Sequence, residues 1–270
     1  YGARSDDKKQ EKMGHIHGGY KAILNAAEKR LKKLGVRVYL HAPVKRIEVN
    51  DSKTTSSKTD TERRGYGLKV IADHSRCWFD KVLLTVNCPT VVGILGGRNG
   101  NPHWNNIREV KYLGVICCLL ILKRQLSPYY VINLLDKALP FTGIIEATNI
   151  VAPKVVQDRH LVYLPKYVTP DDATHRLNDE EIAERFIDGV RKVFPDLRDD
   201  EIIHWNVFRE QYVQPLQELH YLDRKVGPET PIEDLYLVNT SMIYNSTLNN
   251  NAAITTAKKA VQAIVESLAE

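Results

Sequence analysis

The sequence predicts an α+β / α/β chain with a mostly antiparallel central sheet and flanking helices. Three observations predict it. Residues 20–34 carry apolar side chains at helical spacing, and residues 179–194 carry the start and stop signals of a second helix. Residues 107–167 hold a series of short apolar runs separated by turn residues, and short connections between strands favour antiparallel pairing. The chain then closes on a strand, a loop and a long helix, from Leu235 onward. With 270 residues, 43% of them hydrophobic, the chain can bury a full core as one large domain or two smaller ones.

In order along the chain, a polar opening leads to Gly18-Gly19 and a helix over residues 20–34, with Ile23, Leu24, Ala27, Leu31 and Leu34 on one face. Gly35 stops it. Val36, Val38 and Leu40 alternate with polar residues and predict a strand, and Val44, Ile47 and Val49 a looser second one. Residues 50–65 contain almost no apolar side chain and predict an exposed loop or hairpin tip. Strands are expected at 67–72 and 78–86, the latter ending in Asn87-Cys88-Pro89 as a core strand delivering the chain to a ligand crevice. A short helix at 91–95 precedes a glycine-marked break, where a domain crossing is expected.

Four strands follow, at 110–122, 129–134, 143–149 and 161–164. The helix at 179–194 has Asn178 as N-cap, Glu180 and Glu181 in its first turn, Arg191 and Lys192 in its last, and Pro195 beyond it. Residues 202–211 form another strand. Residues 235–241 are an apolar strand ending in small polar residues. Residues 251–268 are a helix with Ile254, Ala257, Val261, Ile264 and Leu268 on one face.

Composition excludes several classes. The formal net charge is +5 with basic residues scattered, and the densest group, Lys29, Arg30, Lys32 and Lys33, fits the solvated face of a helix; no nucleic-acid partner is expected. No apolar run reaches the roughly 18 residues of a membrane span. Cys77, Cys88, Cys117 and Cys118 form no CxxC pair, no histidine stands at metal-ligand spacing, and no metal is expected. His15 and His17 flank the Gly-Gly turn without a third ligand nearby. If 117–118 lie in a strand, their thiols face opposite sides. Buried reduced thiols and a charged N-terminus point to a reducing, cytoplasmic setting. Tyr1 is neither an initiator methionine nor part of a secretion signal, so the chain reads as an excerpt of a longer protein.

Four signatures in order resemble the C-terminal portion of the flavin-containing amine oxidase, phytoene desaturase and protoporphyrinogen oxidase family. They are Gly18-Gly19-Tyr20 with Gly35-Val36-Arg37-Val38 and Pro43-Val44-Lys45-Arg46-Ile47; Phe79-Asp80-Lys81-Val82 leading to Asn87-Cys88-Pro89; FTGIIEATN at 141–149 with VYLPKY at 162–167; and the closing strand, loop and helix. The resemblance implies a partial FAD-binding Rossmann-like domain, lacking its N-terminal βαβ unit, over residues 1–98 and 228–270. It implies a substrate-binding domain over 99–227. The family's GxGxxG loop, which presents a helix N-terminus to the FAD pyrophosphate, is absent from this sequence, and GILGG at 93–97 does not replace it.

As a member of such a family, the chain would bind FAD in the full-length parent and act on a small-molecule substrate. The carry-over places the adenine end of FAD at Val44, and its ribityl and flavin parts at Asn239, Thr240, Ser241, Asn251, Ala252 and Ala253. Glycines usual at this helix start are replaced here by Asn249-Asn250-Asn251, which allows less close approach. Tyr130, Glu146, Asn149 and Tyr167 are the candidates for the substrate side, with Tyr129 beside them. No catalytic triad is expected, because a flavin carries the redox step itself. Two alternatives stand beside this reading. One is a flavin-dependent sugar mutase resembling UDP-galactopyranose mutase, which would need clustered arginines such as Arg108, Arg124, Arg159 and Arg209 for a diphosphate. The other is a non-catalytic degenerate relative.

Overall fold

The computed structural model describes residues 16–49, 67–97, 100–246 and 248–266. The expected loop at 50–65, His15 and Leu268 lie outside them. In chain order the main elements are α1 (Gly19–Lys33), β1 (Val44–Val49), β2 (Leu68–Ala72), β3 (Ser75–Phe79), β4 (Val82–Leu84), α2 (Cys88–Ile94), α3 (Pro102–Arg108), β5 (Tyr112–Leu122), β6 (Val131–Asn133), β7 (Gly143–Glu146), β8 (His160–Val168), α4 (Asp179–Val193), β9 (Ile202–Pro215), α5 (Tyr221–Arg224), β10 (Leu235–Leu237) and α6 (Asn250–Glu266). The mixed α/β class and the antiparallel central sheet match the expectation.

The chain divides into two compact units, one built on Val38–Lys111 and Pro215–Glu270, the other on Tyr112–Gln214 with the segment that carries α1. The first unit holds an antiparallel sheet, β1-β2-β3, and a parallel pair, β4 with β10. The second holds a five-stranded sheet in the order β6-β7-β8-β5-β9.

β5 explains the second unit. Its side chains alternate strictly between buried and half-buried along all 11 residues, as a pleated strand with one covered face requires. Ile116, Cys118, Leu120 and Leu122 join Val162, Leu164 and Ile144 on the inner face. There α4 lays down Ile182, Ala183, Phe186 and Val190, one helical stripe. Burying each large apolar side chain contributes about 1.5–3 kcal/mol relative to exposure. The N-terminus of α4 is fixed as the sequence implies: Asn178 Oδ1 accepts from the Glu181 amide at 2.8 Å and Glu181 returns a carboxylate to the Asn178 amide at 2.9 Å. Gly189 brings α4 close to the β6–β7 turn, since a Cβ there would stand 2.7 Å from Pro140 Cδ.

Several local expectations are corrected. Residues 36–40 are not a strand: the Val36 amide donates to Leu31 O at 3.0 Å, closing the C-terminus of α1 around Gly35 (φ +77°). Val36, Val38 and Leu40 are exposed. The run at 78–86 is two strands, because β3 finishes a hairpin with β2 while β4 turns away to pair with β10. The glycine-marked break contains α3, started by Asn101 as N-cap and Pro102 at the first helical position. β7 ends at Glu146 in a 3-10 turn, and β10 ends at Leu237. The apolar stripe of α1 buries no residue, and on α6 Ile254, Val261 and Val265 are exposed.

Candidate functional site

β4 and β10 run parallel and in register, Val82 beside Leu235 and Leu84 beside Leu237. Their carboxyl ends therefore emerge side by side, the place where open α/β sheets gather ligands. A buried polar network fixes the two ends. Asn239, 8% exposed, donates from Nδ2 to Val86 O at 2.9 Å and to Cys88 Sγ at 3.5 Å. Its Oδ1 accepts from the Ser241 amide at 3.0 Å and from Ser241 Oγ at 2.6 Å. The Cys88 thiol donates to Ser241 Oγ at 3.5 Å, and the Tyr221 hydroxyl donates to Ser241 O. Burial pushes the Tyr221 hydroxyl above its usual range. At the start of β10, Lys81 pairs with Asp234 and lies 5.8 Å from the centre of the Tyr236 ring.

Beyond this knot the chain turns through a 3-10 segment, Thr240–Met242, and enters α6. Asn249 begins that helix, its Oδ1 accepting from the Ala252 amide at 2.9 Å and its carbonyl from the Ala253 amide at 3.0 Å. A cleft of about 770 Å³ opens between α6, where Asn251, Ala252, Thr255 and Lys259 line it, and the segments around Lys225 and Tyr244.

The expected cofactor residues are thus of two kinds. Asn239 and Ser241 are buried and bonded internally, while Thr240 is half-buried. Asn251 and Ala252 line the cleft, and Ala253, next to them, is exposed. Val44 opens β1, the edge strand of its sheet, at a register irregularity before Arg46. Cys88 and Tyr221 complete the network and had no individual signal in the sequence, because a lone buried thiol and a lone tyrosine look like ordinary core residues.

The substrate-side candidates separate by face. Glu146 pairs across the sheet with Val162 and is 1% exposed, on the inner face. Its carboxylate accepts from the Leu126 and Ser127 amides, both at 3.0 Å, which pins the turn after β5. Asn149 reinforces that turn by donating to Ser127 O at 2.9 Å and Tyr129 O at 2.7 Å. Tyr130 accepts on its carbonyl from the Glu146 amide at 2.8 Å. Tyr167 pairs with Val115 on the opposite, outer face and is 53% exposed. The structure therefore gathers Tyr130, Glu146 and Asn149 at one turn and sets Tyr167 apart from Glu146. Among the arginines, Arg124 binds Glu201 and Asp196, and Arg209 binds Asp179 and Leu177 O. Among the described residues no group of acidic, histidine and cysteine side chains stands ready to hold a metal ion. No helix there is long and apolar enough to cross a membrane.

The family model for flavin containing amine oxidoreductases matches residues 3–265 of this chain. The chain belongs to that family. Its fold is shared with a protein described as a protoporphyrinogen oxidase from an Exiguobacterium species (TM-score 0.70, 16% identity, 92% of this chain and 51% of that one). It is also shared with an oxidoreductase from Methanosarcina mazei (TM-score 0.60, 18% identity, 83% and 50%), and with reduced UDP-galactopyranose mutase (TM-score 0.68, 14% identity, 93% and 52%). At these identities the likeness is one of fold. The family member described here spans about half the length of the solved structures it matches. No curated protein sequence matches it.

The family is a flavin-containing one, and the residues present fit part of such a group's needs. The paired strand ends, the cleft and the first turn of α6 offer small and polar side chains beside a helix N-terminus, where negative charge is stabilised. The glycine-rich pyrophosphate loop is the part this sequence does not contain.

Proposed function

We propose that this family member supplies the substrate-side sheet and the carboxyl-terminal part of the flavin site of an FAD-dependent oxidoreductase. The observation that carries the reading is the β4–β10 pair, whose ends Asn239 clamps together directly before α6. In this reading Thr240, Asn251, Ala252 and Ala253 lie against the ribityl and flavin portions, with Asn239 and Ser241 holding the backbone that presents them. The open edge of β1 at Val44 takes the adenine end. A flavin, when bound, accepts or donates the electron pair of the redox step. The chain's own task is to place it, stabilise charge from the α6 N-terminus and exclude water from the substrate.

The reading assigns 1–98 and 228–270 to the cofactor side and 99–227 to the substrate side. The exposed apolar stripe of α6, in the unit that holds the β4–β10 pair, supports the carboxyl-terminal part of the assignment, while the α1 segment falls in the unit of the five-stranded sheet. A helix of this length is marginal in water without a packed face, so a nucleotide-binding βαβ segment carrying the glycine-rich loop is the partner proposed for the cofactor side. The mutase reading receives less support, because Arg124 and Arg209 are committed to internal carboxylates rather than gathered for a diphosphate.

The test is reconstitution. The chain is purified alone and co-expressed with the strand–GxGxxG–helix segment of a full-length family member, and bound flavin is measured by absorbance after gel filtration. Flavin is expected with the pair and not with the chain alone. A colourless pair counts against the flavin reading. Tight stoichiometric flavin on the chain alone removes the partial-site claim.

A further inference from the structure

The loop between β10 and α6 is held from a second side, by residues 215–224, which belong to the same compact unit. That segment is itself anchored. The Leu216 amide donates to Lys111 O at 2.9 Å, Lys111 Nζ donates to Glu218 at 2.7 Å, and Arg224 reaches Glu109 at 3.3 Å and Glu218 at 3.4 Å. His220 then turns the chain at φ +61°, a left-handed backbone unfavourable for a residue that carries a Cβ. The turn delivers Tyr221 into the interior, where it is 6% exposed. Such a conformation persists where the surrounding contacts over-determine it.

Three contacts join this segment to the loop. The Tyr221 hydroxyl donates to Ser241 O, and burial, by holding that hydroxyl above its usual range, keeps it a donor at neutral pH. The Tyr221 ring lies parallel to that of Tyr244, with 6° between planes and 6.2 Å between centroids. From the surface, Gln217 Nε2 donates to Ile243 O at 2.8 Å and its Oε1 accepts from the Asn245 amide at 3.4 Å. Tyr244, with one ring face toward Tyr221, is 42% exposed and lines the cleft opposite Asn251, Ala252 and Thr255 of α6. A loop outside regular secondary structure takes its conformation from such anchors, because its backbone groups must find partners elsewhere. We infer that Tyr221, assisted by Gln217, is a positioning residue for the candidate site: it fixes residues 241–245 and so sets the Tyr244 ring as a wall of the cleft at the entry to α6. The inference rests on the proposal that this cleft takes part of a flavin. Asn239 fixes where the loop leaves β10, and Tyr221 and Gln217 fix its course from there.

Two variants test it. Tyr221→Phe keeps the ring and removes the hydroxyl, and Gln217→Ala removes the surface anchor. Hydrogen exchange on the 270-residue chain is expected to quicken tenfold or more at the Ile243 and Asn245 amides in the double variant, and severalfold in each single one. The Val82 and Val238 amides of the β4–β10 pair should keep their rates. Leu219→Ser, at an 87% exposed site of the same segment, should change none of these. In the reconstituted pair the double variant should weaken flavin binding fivefold or more and shift the visible flavin band. Gln217→Ala alters an exposed side chain and keeps the test valid should Tyr221→Phe fold poorly. Loop exchange indifferent to both variants overturns the inference, and so does equal quickening at Val82 and Val238. A yellow pair whose affinity and band are unmoved in the double variant overturns the positioning role. A colourless wild-type pair with the exchange pattern intact removes the flavin reading and leaves the hold on residues 241–245 standing.

Discussion

Replacing Asn239 by leucine tests whether the β4–β10 clamp organises the candidate site. Leucine is close in volume but offers no polar atom. Val86 O loses its donor at 2.9 Å, and the Ser241 amide loses its acceptor at 3.0 Å. Each group is then orphaned in a region where Asn239 and Ser241 are 8% and 2% exposed. An orphaned buried polar group costs about 1–3 kcal/mol, so two of them give a loss of about 2–6 kcal/mol. At about 2–4 °C per kcal/mol for a chain of this size, the melting temperature of the first unit falls by on the order of 10 °C. The loss must also be local. Hydrogen exchange should accelerate at the Val82 and Val238 amides, which donate to Asp234 O at 2.9 Å and Leu84 O at 2.8 Å, and not at Ile116 or Leu120 of β5. A stability change below roughly 0.5 kcal/mol, or exchange that quickens first in β5 and β8, would refute the reasoning.

Three further outcomes are expected. Asn178→Ala removes the side-chain half of the α4 capping box, the Oδ1 acceptor of the Glu181 amide, and should cost about 0.5–2 kcal/mol, read as a shift in the denaturation midpoint of the second unit. Glu201 is held below the usual carboxylate range, first by the Arg198 amide and then by the Arg124 guanidinium. Its folded value is depressed, so the stability it gives is present above the ordinary carboxylate range and lost as pH falls through that lowered value. Denaturation midpoints measured against pH should therefore converge for wild type and Glu201→Gln in acid and separate, with wild type higher, at neutrality. Alkylation mapped by mass spectrometry should modify exposed Cys77 first. Cys118, buried and with its thiol pushed up to about 12, should react only on unfolding, and early labelling of Cys118 would contradict the packing of β5.

The sequence by itself determined what depends on near neighbours. The strand at 110–122, the opposite fates of Cys117 and Cys118 on it, and the Asn178 cap of the helix after it follow from runs and offsets of a few residues, and all stand in the fold. The order of motifs also carried the family. What only the tertiary structure decided was pairing. Nothing local at 75–84 says that the run splits, because the split exists to let β4 meet β10, a partner 153 residues away. Asn239 read as one residue of a polar strand end, and only the parallel pair turns it into a clamp on Val86 and Cys88. Glu146 and Tyr167 both looked like wall residues of one sheet. Cross-strand register put Glu146 opposite Val162 on the covered face and Tyr167 opposite Val115 on the open one. A shift of one residue exchanges the two faces of a strand, and register is set by long-range packing that no window of sequence contains.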